Sequence, residues 1–292
     1  MPNTRDIRRR IRSVRSTAQI TKAMQMVASS KMRKAQEAAL VGRPYVSLMA
    51  QVLAAVSDHA GDFAHPLMEV RPGSRRAVIV VASDKGLCGA LNSNLLREAA
   101  KLEVSVTQFI AVGRRAAQFI ARTKRQLLSE FSCRDTPLYS EARAISRFAR
   151  KLFLDSEVDS VDVLFTQFVS TLSQRPRSVP LLPVGEVKSL VAKLQPERAL
   201  VAHQQAAFEF LFEPSPEAVL TSLLPHYLNY VLYQILLEAK ASEHSARMVA
   251  MKNATDNAQE LLQELSLEYN KLRQAIITRE FLELTTAALT LE

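Results

Sequence analysis

Residues 226–292 contain neither glycine nor proline, the two residues that most often interrupt a helix. Within this stretch the apolar positions recur at alternating steps of three and four, at Met248, Met251, Thr255, Ala258, Leu262, Leu265, Tyr269, Leu272 and Ile276. This spacing is typical of the heptad seam of a coiled coil. After Ile276 the stripe shifts by one residue and continues through Ile277, Phe281, Leu284, Ala288 and Leu291. At about 1.5 Å of rise per residue the predicted helix is roughly 100 Å long, so it needs a partner helix.

The first 57 residues are predicted to form that partner helix. Residues 3–41 again lack glycine and proline, and Ile7, Ile11, Val14 and Ala18 form an apolar stripe that we expect Ile20, Met24 and Val27 to continue. Gly42 and Pro44 predict a kink, after which helical spacing resumes to about residue 57. Basic side chains crowd this segment and acids are scarce before Glu37. A purely solvated helix face normally mixes the two signs, so the excess predicts an acidic partner.

The sequence between the two helices alternates predicted strands and helices, which indicates a mainly parallel, Rossmann-like α/β sheet. The predicted strands are residues 77–82, 107–112, 126–131 and 160–168, with 178–187 and 207–212 as further candidates, and the predicted helices are 93–102, 114–123 and 140–154. The proline-rich residues 174–198 are interpreted as a surface excursion. The last helix is predicted to start with Ser215 as its N-cap. The expected organisation is a helix over residues 1–57, an inserted α/β domain over 75–213 and a second helix over 214–292.

Composition and motifs give little support for catalysis. The net charge is +9, and the two cysteines, Cys88 and Cys133, suggest neither a disulfide framework nor a zinc site. The glycine loop of residues 83–94 has neither phosphate-loop spacing, so a tight strand-to-helix turn is the favoured interpretation. The five histidines show no metal-ligand spacing. We therefore expect no catalytic residue, no cofactor and no metal.

A second hypothesis is a basic coiled-coil protein that binds nucleic acid. The arginine-rich first helix supports it, because phosphate binding relies on such charge. A basic-region protein, however, carries a symmetric zipper beyond base-reading residues. Here the predicted partner helix lies in the same chain and is rich in methionine and alanine.

Three motifs resemble the gamma subunit of F-type ATP synthase. Residues 241–258 (ASEHSARMVAMKNATDNA) and 269–280 (YNKLRQAIITRE) look like that family's C-terminal signature. Residues 20–36 (ITKAMQMVASSKMRKAQ) and 83–95 (SDKGLCGALNSNL) resemble its other two hallmarks. The motifs occur in the family's order along the whole chain. One departure is the terminus, FLELTTAALTLE, where the family usually has paired glycines and alanines.

The resemblance implies a rotating central shaft inside a ring of three alpha and three beta subunits, with the α/β domain contacting the epsilon subunit and the membrane c-ring. It implies contacts with the beta subunits in the matched motifs, at Lys22, Met24, Arg33, Arg247, Gln274, Thr278 and Glu280. Of these, Arg247, Gln274 and Thr278 are expected to face the catch loops and the acidic lever segment. No nucleic acid is expected as a partner.

The resemblance also implies a peripheral location, with membrane association only through the complex. No run of about 20 apolar residues predicts a membrane span. The arginine-rich start has the composition of a mitochondrial transit peptide as well. Because the matched motif begins so near Met1, the cytoplasmic face of a bacterial inner membrane is the favoured expectation.

Overall fold

The computed structural model describes residues 4–59, 65–184, 213 and 215–289. It has the predicted fold class, with a long helix at each end of the chain and an inserted, mainly parallel sheet. The elements in chain order are α1 (Thr4–His59), β1 (Arg76–Val81), α2 (Leu91–Ala100), β2 (Thr107–Val112), α3 (Arg114–Arg122), β3 (Leu127–Phe131), α4 (Tyr139–Leu154), β4 (Ser160–Phe168), β5 (Gln174–Leu182) and α5 (Pro216–Leu289).

The chain divides into two compact units, which are described separately. One unit comprises Met1–Ala28 and Arg247–Glu292, and we call it the coiled-coil unit. The other, Ser29–Ala246, is called the sheet unit because it contains all five described strands. The boundaries at residues 57, 75 and 213 stay predictions from the sequence.

The sheet has the strand order β3-β2-β1-β4-β5, in which the first four strands run parallel. β1 is central and buried on both faces, which accounts for its uninterrupted apolar sequence. On one face Val78 and Val80 pack with residues of α2 and α3. On the other face Ile79 packs with residues of α4 and of the first part of α5. The core of the sheet unit is therefore a three-layer α/β core.

The interpretation of residues 174–198 as a surface excursion is wrong for their first nine residues. Gln174–Leu182 forms β5, which pairs antiparallel with β4 at the edge of the sheet, so the candidate strand at 178–187 is confirmed for residues 178–182. An edge strand needs hydrogen bonds on one side only, so it tolerates Pro176 and Pro180, which lack an N–H. The candidate strand at 207–212 lies outside the described residues.

Helix α1 continues through Gly42 and Pro44, where the sequence predicted a kink. Gly42 is buried because α1 and α5 lie close together there within the sheet unit. A Cβ on Gly42 would come within 2.4 Å of the Gln234 side-chain nitrogen, which donates a hydrogen bond of 3.1 Å to the Ala39 carbonyl. The close approach of α1 and α5 therefore leaves no room for a side chain at position 42.

The start of α5 confirms the predicted N-cap. The Ser215 hydroxyl accepts a hydrogen bond of 3.3 Å from the Ala218 amide, and Pro216 is the first helical residue. The helix then runs 74 residues and continues through Pro225.

Candidate functional site

Several buried positions in the seam of the coiled-coil unit carry small side chains, although Ile7 and Met251 are buried there as well. Ala18, Thr21 and Ala28 of α1 are buried, as are Thr255 and Ala258 of α5. The predicted α5 seam is confirmed from Met248 to Leu272, where each member is buried or half-buried. Small seam residues let two helix backbones approach closely, which favours a thin and stiff pair.

Two cross-helix contacts fix the antiparallel register of this unit. Thr21 and Thr255 share a buried hydrogen bond of 2.8 Å between their hydroxyl oxygens. Farther along, Arg8 donates a hydrogen bond to the Tyr269 hydroxyl and lies 5.4 Å from the centre of its ring. Residue numbers therefore rise along α1 as they fall along α5.

The Thr21–Thr255 pair yields a test of the seam. We expect Thr21→Val and Thr255→Val each to lower the free energy of unfolding by about 1 kcal/mol, because each breaks the same buried hydrogen bond. The double variant should lose less than the sum of the two, and urea unfolding of the purified chain measures this difference. Thr17→Val is the matched control. Its hydroxyl bonds the Ser13 carbonyl of its own helix at 3.1 Å but is exposed. Strictly additive losses would contradict the proposed pairing.

The expected continuation of the α1 stripe through Ile20, Met24 and Val27 is wrong at Ile20 and Val27, whereas Met24 is half-buried. Ile20 and Val27 are 57% and 54% exposed, and the buried positions are Thr21 and Ala28 instead. The seam keeps its three-and-four step from Ala18, so it runs one residue later than the larger apolar side chains suggested. Large apolar residues therefore lie on the outer surface of the unit.

The segment of α5 after Leu272 is exposed throughout residues 273–286, and we call it the tip segment. Its apolar stripe is open, with Phe281 at 64% and Leu284 at 71% exposure. Ile276, predicted as the last seam residue, is exposed as well. At about 100° per residue, the Arg279–Glu283 ion pair of 2.9 Å lies on the side of the helix opposite the stripe. The tip segment thus presents a different surface on each side.

The residues implied by the resemblance fall into three settings. Gln274, Thr278 and Glu280 are exposed on the tip segment, where Gln274 and Thr278 lie one turn apart beside the apolar stripe. Lys22 is exposed and Met24 half-buried on α1, while Arg33 is exposed in the sheet unit. Arg247 differs from these, because it is only 9% exposed and is engaged by an interaction within the chain. Sequence reasoning missed the exposed Ile20, Met26 and Val27. The signal in the sequence is the three-and-four step continued from Ala18, which places Thr21 and Ala28 in the seam and leaves these three residues outside it.

The glycine loop after β1 is held by its own hydrogen bonds. Asn92 donates to the Ser83 hydroxyl at 2.8 Å and to the Cys88 sulfur at 3.1 Å, and it accepts from the Ser83 amide at 3.2 Å. Asp84 accepts a hydrogen bond of 3.0 Å from the Arg114 amide. Leu87 and Gly89 have φ angles of 62° and 58° in the left-handed region, as a tight turn requires. These contacts support the interpretation of the loop as a structural turn.

Two ion pairs of the sheet unit involve its long helices. Lys31 of α1 binds Asp135, which follows β3, and this hydrogen bond lowers the pKa of the Asp135 carboxyl. Lys240 and Glu243 of α5 form a buried pair of 3.0 Å. Removal of one partner from the buried Lys240–Glu243 pair leaves an uncompensated charge, whereas the Lys31–Asp135 pair is exposed and contributes little to stability.

Cys133 yields a prediction about alkaline pH. Burial, followed by the nearby Glu141 charge, raises the pKa of its thiol from 9.0 to about 12. Above pH 9.0 the unfolded chain releases this proton whereas the folded chain keeps it, so the folded state should lose stability as the pH rises toward about 12. Urea unfolding below and above the ordinary thiol pKa measures the loss. Cys133→Ala should reduce this dependence without abolishing it, because burial also raises the pKa of Tyr227 from 10.0 to about 12. An unchanged slope would contradict the role of the thiol.

Two further chemical features bear on the site. The described helices include none that is long and apolar enough to cross a membrane. Within residues 4–59, 65–184 and 215–289, no group of three His, Cys, Asp or Glu side chains is placed to hold a metal ion.

Comparisons with known proteins agree with this architecture. The ATP synthase family model matches residues 3–291. The ATP synthase gamma chain of Opitutus terrae is 50% identical over 289 residues, which cover 98% of each chain. The ATP synthase gamma chain of Methylacidiphilum infernorum is 46% identical over 292 residues and again covers 98% of each.

Solved structures give the same result. A chain of the central stalk and c-ring structure of the Tetrahymena thermophila mitochondrial ATP synthase has a TM-score of 0.60 and 26% identity, covering 80% of this chain and 99% of that one. A rotor chain of the Euglena gracilis mitochondrial ATP synthase has a TM-score of 0.67 at 17% identity, covers 94% and 98%, and shows the shared fold. On the family match and the identities, the chain belongs to the gamma-subunit family of the F-type ATP synthases.

Proposed function

We propose that this chain is the central-stalk rotor subunit of an F-type ATP synthase, and that it couples ion flow through a membrane c-ring to ATP synthesis at the beta subunits. The observation that carries the proposal is the tip segment. It is a regular helix whose apolar stripe is exposed over residues 273–286. Such a stripe is unfavourable in water and calls for enclosing partner subunits.

The mechanism that we propose depends on asymmetry. Three identical beta subunits around one shaft would each meet a different side of it. One side offers Phe281 and Leu284, its edge offers Gln274 and Thr278, and the far side offers the Arg279–Glu283 pair. A partner's conformational equilibrium shifts only by the difference in contact energy between its states. Rotation of an asymmetric tip would therefore place each beta subunit against each side of the tip in turn, and so shift its conformational state at every step.

We infer that the subunit supplies no catalytic site of its own. The side chains of the glycine loop, its most enzyme-like segment, are bound to one another through Ser83, Cys88 and Asn92. Catalysis at the beta subunits would then depend on this chain only through contact. Purified subunit free of its partners should hydrolyse no ATP, and measurable hydrolysis would contradict this inference.

The remaining partners and the location belong to the same proposal. The sheet unit would contact the epsilon subunit and the c-ring, and the coiled-coil unit would lie within three alpha and three beta subunits. The chain would be peripheral, at the cytoplasmic face of a bacterial inner membrane, and bound there through the complex. The similar Tetrahymena chain belongs to a central stalk and c-ring assembly, which supports this arrangement.

Gln274→Ala tests the proposed beta contact. Gln274 is exposed, so we expect unchanged stability of the purified subunit but about threefold to tenfold slower ATP synthesis and hydrolysis by the assembled complex, from one lost polar contact. Arg247→Ala should lower both turnover and stability, because Arg247 is buried and engaged. Normal turnover by an assembled Gln274→Ala complex would refute the contact.

The nucleic-acid alternative has no support from the relatives of this chain. A gel shift with duplex DNA at physiological ionic strength separates the two functions, because non-specific phosphate binding depends steeply on salt. We expect no shift for the purified chain.

A further inference from the structure

A groove on the sheet unit combines positive charge with aromatic rings. It has a volume of about 560 Å³ and is lined by Phe131, the last residue of β3, and by the outer face of α4. On α4 the lining includes Arg143, Arg147, Phe148 and Lys151. We call it the α4 groove. None of its residues belongs to the motifs that identify the family.

The three basic side chains form a row along α4. They are spaced four residues apart, so they project from one side of the helix on successive turns. All three are exposed, and within the described part of the chain none forms an ion pair. Burial, followed by the charges of Arg143 and Arg147, lowers the pKa of the neighbouring Arg150. The positive charge of this row is therefore concentrated, and no direct ion pair neutralises it.

Two acids close to the row in sequence are engaged or point away from it, and Asp155, four residues after Lys151, forms no ion pair with Lys151 in the described part of the chain. Glu141 accepts hydrogen bonds from the amides of Leu138 and Arg134 at 2.9 Å and 3.3 Å, which occupies its carboxylate. Glu130 precedes Phe131 on β3, and successive strand side chains point to opposite faces of a sheet. Because no ion pair to the row is formed in the described part of the chain, the row is open to acidic groups from outside the chain.

The floor of the groove is aromatic and partly open. Phe131 and Phe148 pack edge to face with their ring centres 5.8 Å apart, and both are half-buried. Open aromatic surface beside unpaired arginines is the composition of a protein-binding patch. Arginine and aromatic residues also supply most of the energetically dominant contacts at interfaces.

We propose that the α4 groove binds an acidic segment of a partner protein, with carboxylates on the Arg143–Arg147–Lys151 row and an apolar side chain on the phenylalanine floor. The charge complementarity selects acidic groups, and the floor selects an apolar residue between them. A free phosphate ion could pair with the basic row but would make no apolar contact with the rings of Phe131 and Phe148. A flat anionic membrane would reach the exposed row without entering a concave floor.

The test uses the purified full-length chain and a fluorescein-labelled peptide that alternates pairs of glutamates with leucine and phenylalanine. We expect saturable binding that weakens with salt, and no binding of the same peptide with lysine for glutamate. Arg143→Gln with Arg147→Gln should weaken binding about fivefold to tenfold, since two exposed ion pairs are lost. Arg97→Gln with Arg122→Gln is the matched control, because both arginines are exposed on α2 and α3 and removing them changes the net charge equally.

Changes to the peptide and to the floor of the groove test which chemical groups the groove recognises. Replacement of leucine and phenylalanine in the peptide by glycine should also weaken binding to the wild-type chain. The same replacement should weaken binding to a Phe131→Ser chain by a smaller factor, because that chain has already lost part of the aromatic floor. Thermal melting shows whether each variant is folded. The proposal fails if the control pair of substitutions weakens binding as much as the groove pair. It also fails if the peptide does not bind, or if phosphatidylserine vesicles bind through Arg143 and Arg147 while the peptide does not.

Discussion

Phe281→Glu combined with Leu284→Glu should uncouple or stall an assembled complex. Both side chains belong to the exposed apolar stripe of the tip segment, where the proposed function requires burial in an apolar bearing. Enclosing one such side chain contributes about 1.5–3 kcal/mol, and placing two carboxylates there adds a desolvation cost. We therefore expect ATP synthesis to fall by at least about tenfold.

The measurements are ATP synthesis by the reconstituted complex and urea unfolding of the purified subunit. Stability should stay within about 0.5 kcal/mol, because the changes lie on exposed positions. Val70→Glu with Val104→Glu is the matched control, since both valines are exposed in the sheet unit at 77% and 56%. Wild-type synthesis by a fully assembled Phe281→Glu and Leu284→Glu complex would exclude a bearing at this stripe.

The largest loss of stability is expected for Phe153→Ala. Phe153 is fully buried at the end of α4, within the larger apolar core of the sheet unit. The Arg71 guanidinium lies 4.4 Å from the centre of its ring and donates a hydrogen bond to its carbonyl. Truncation removes the ring and leaves a cavity, which should cost about 3–5 kcal/mol in the free energy of unfolding.

Urea unfolding of the purified chain, followed by the helical signal, measures this loss. Phe281→Ala deletes the same ring from an exposed position and should change the free energy of unfolding by less than about 0.5 kcal/mol. A loss of less than about 1 kcal/mol for Phe153→Ala would mean that the core closes around the missing ring.

Much of the fold follows from local patterns. The strands Thr107–Val112 and Ser160–Phe168 occupy the residues predicted for them, because continuous or alternating apolar runs of that length bury one or both faces of a sheet. The start of α5 follows from a serine cap and a proline at the first helical position. These signals are local, so tertiary packing did not override them.

The errors arise where the outcome depends on a neighbour. The prolines of residues 174–182 indicate a loop because proline is excluded from central strands, yet β5 has only one neighbour. The hydrophobicity of Ile20 and Val27 favours the wrong phase, because the seam keeps its three-and-four step from Ala18. The buried positions on this step are Thr21 and Ala28, whose side chains are small enough for two helices to pack closely. The burial of Arg247 likewise reflects packing around it, which no spacing in the sequence reports.

The candidate site follows from resemblance and only partly from physical reasoning. The phase shift after Ile276 predicts that the end of α5 differs from the seam, and residues 273–286 are indeed exposed. The individual contact residues are inherited from the matched motifs, and their roles stay predictions. The α4 groove gives no sequence signal, because its aromatic floor joins Phe131 of β3 to Phe148 of α4 across a fold that spacing does not reveal.

The small side chains of the coiled-coil seam have a consequence for biosynthesis. Ile20, Met26 and Val27 lie outside the seam and are exposed, so a newly made chain has a second exposed apolar region. The first is the stripe with Phe281 and Leu284, which is remote in sequence. A free copy would expose both apolar regions to water, whereas the proposed assembly would cover them. The yield of intact protein should consequently rise when the chain is produced together with the other subunits of the proposed complex.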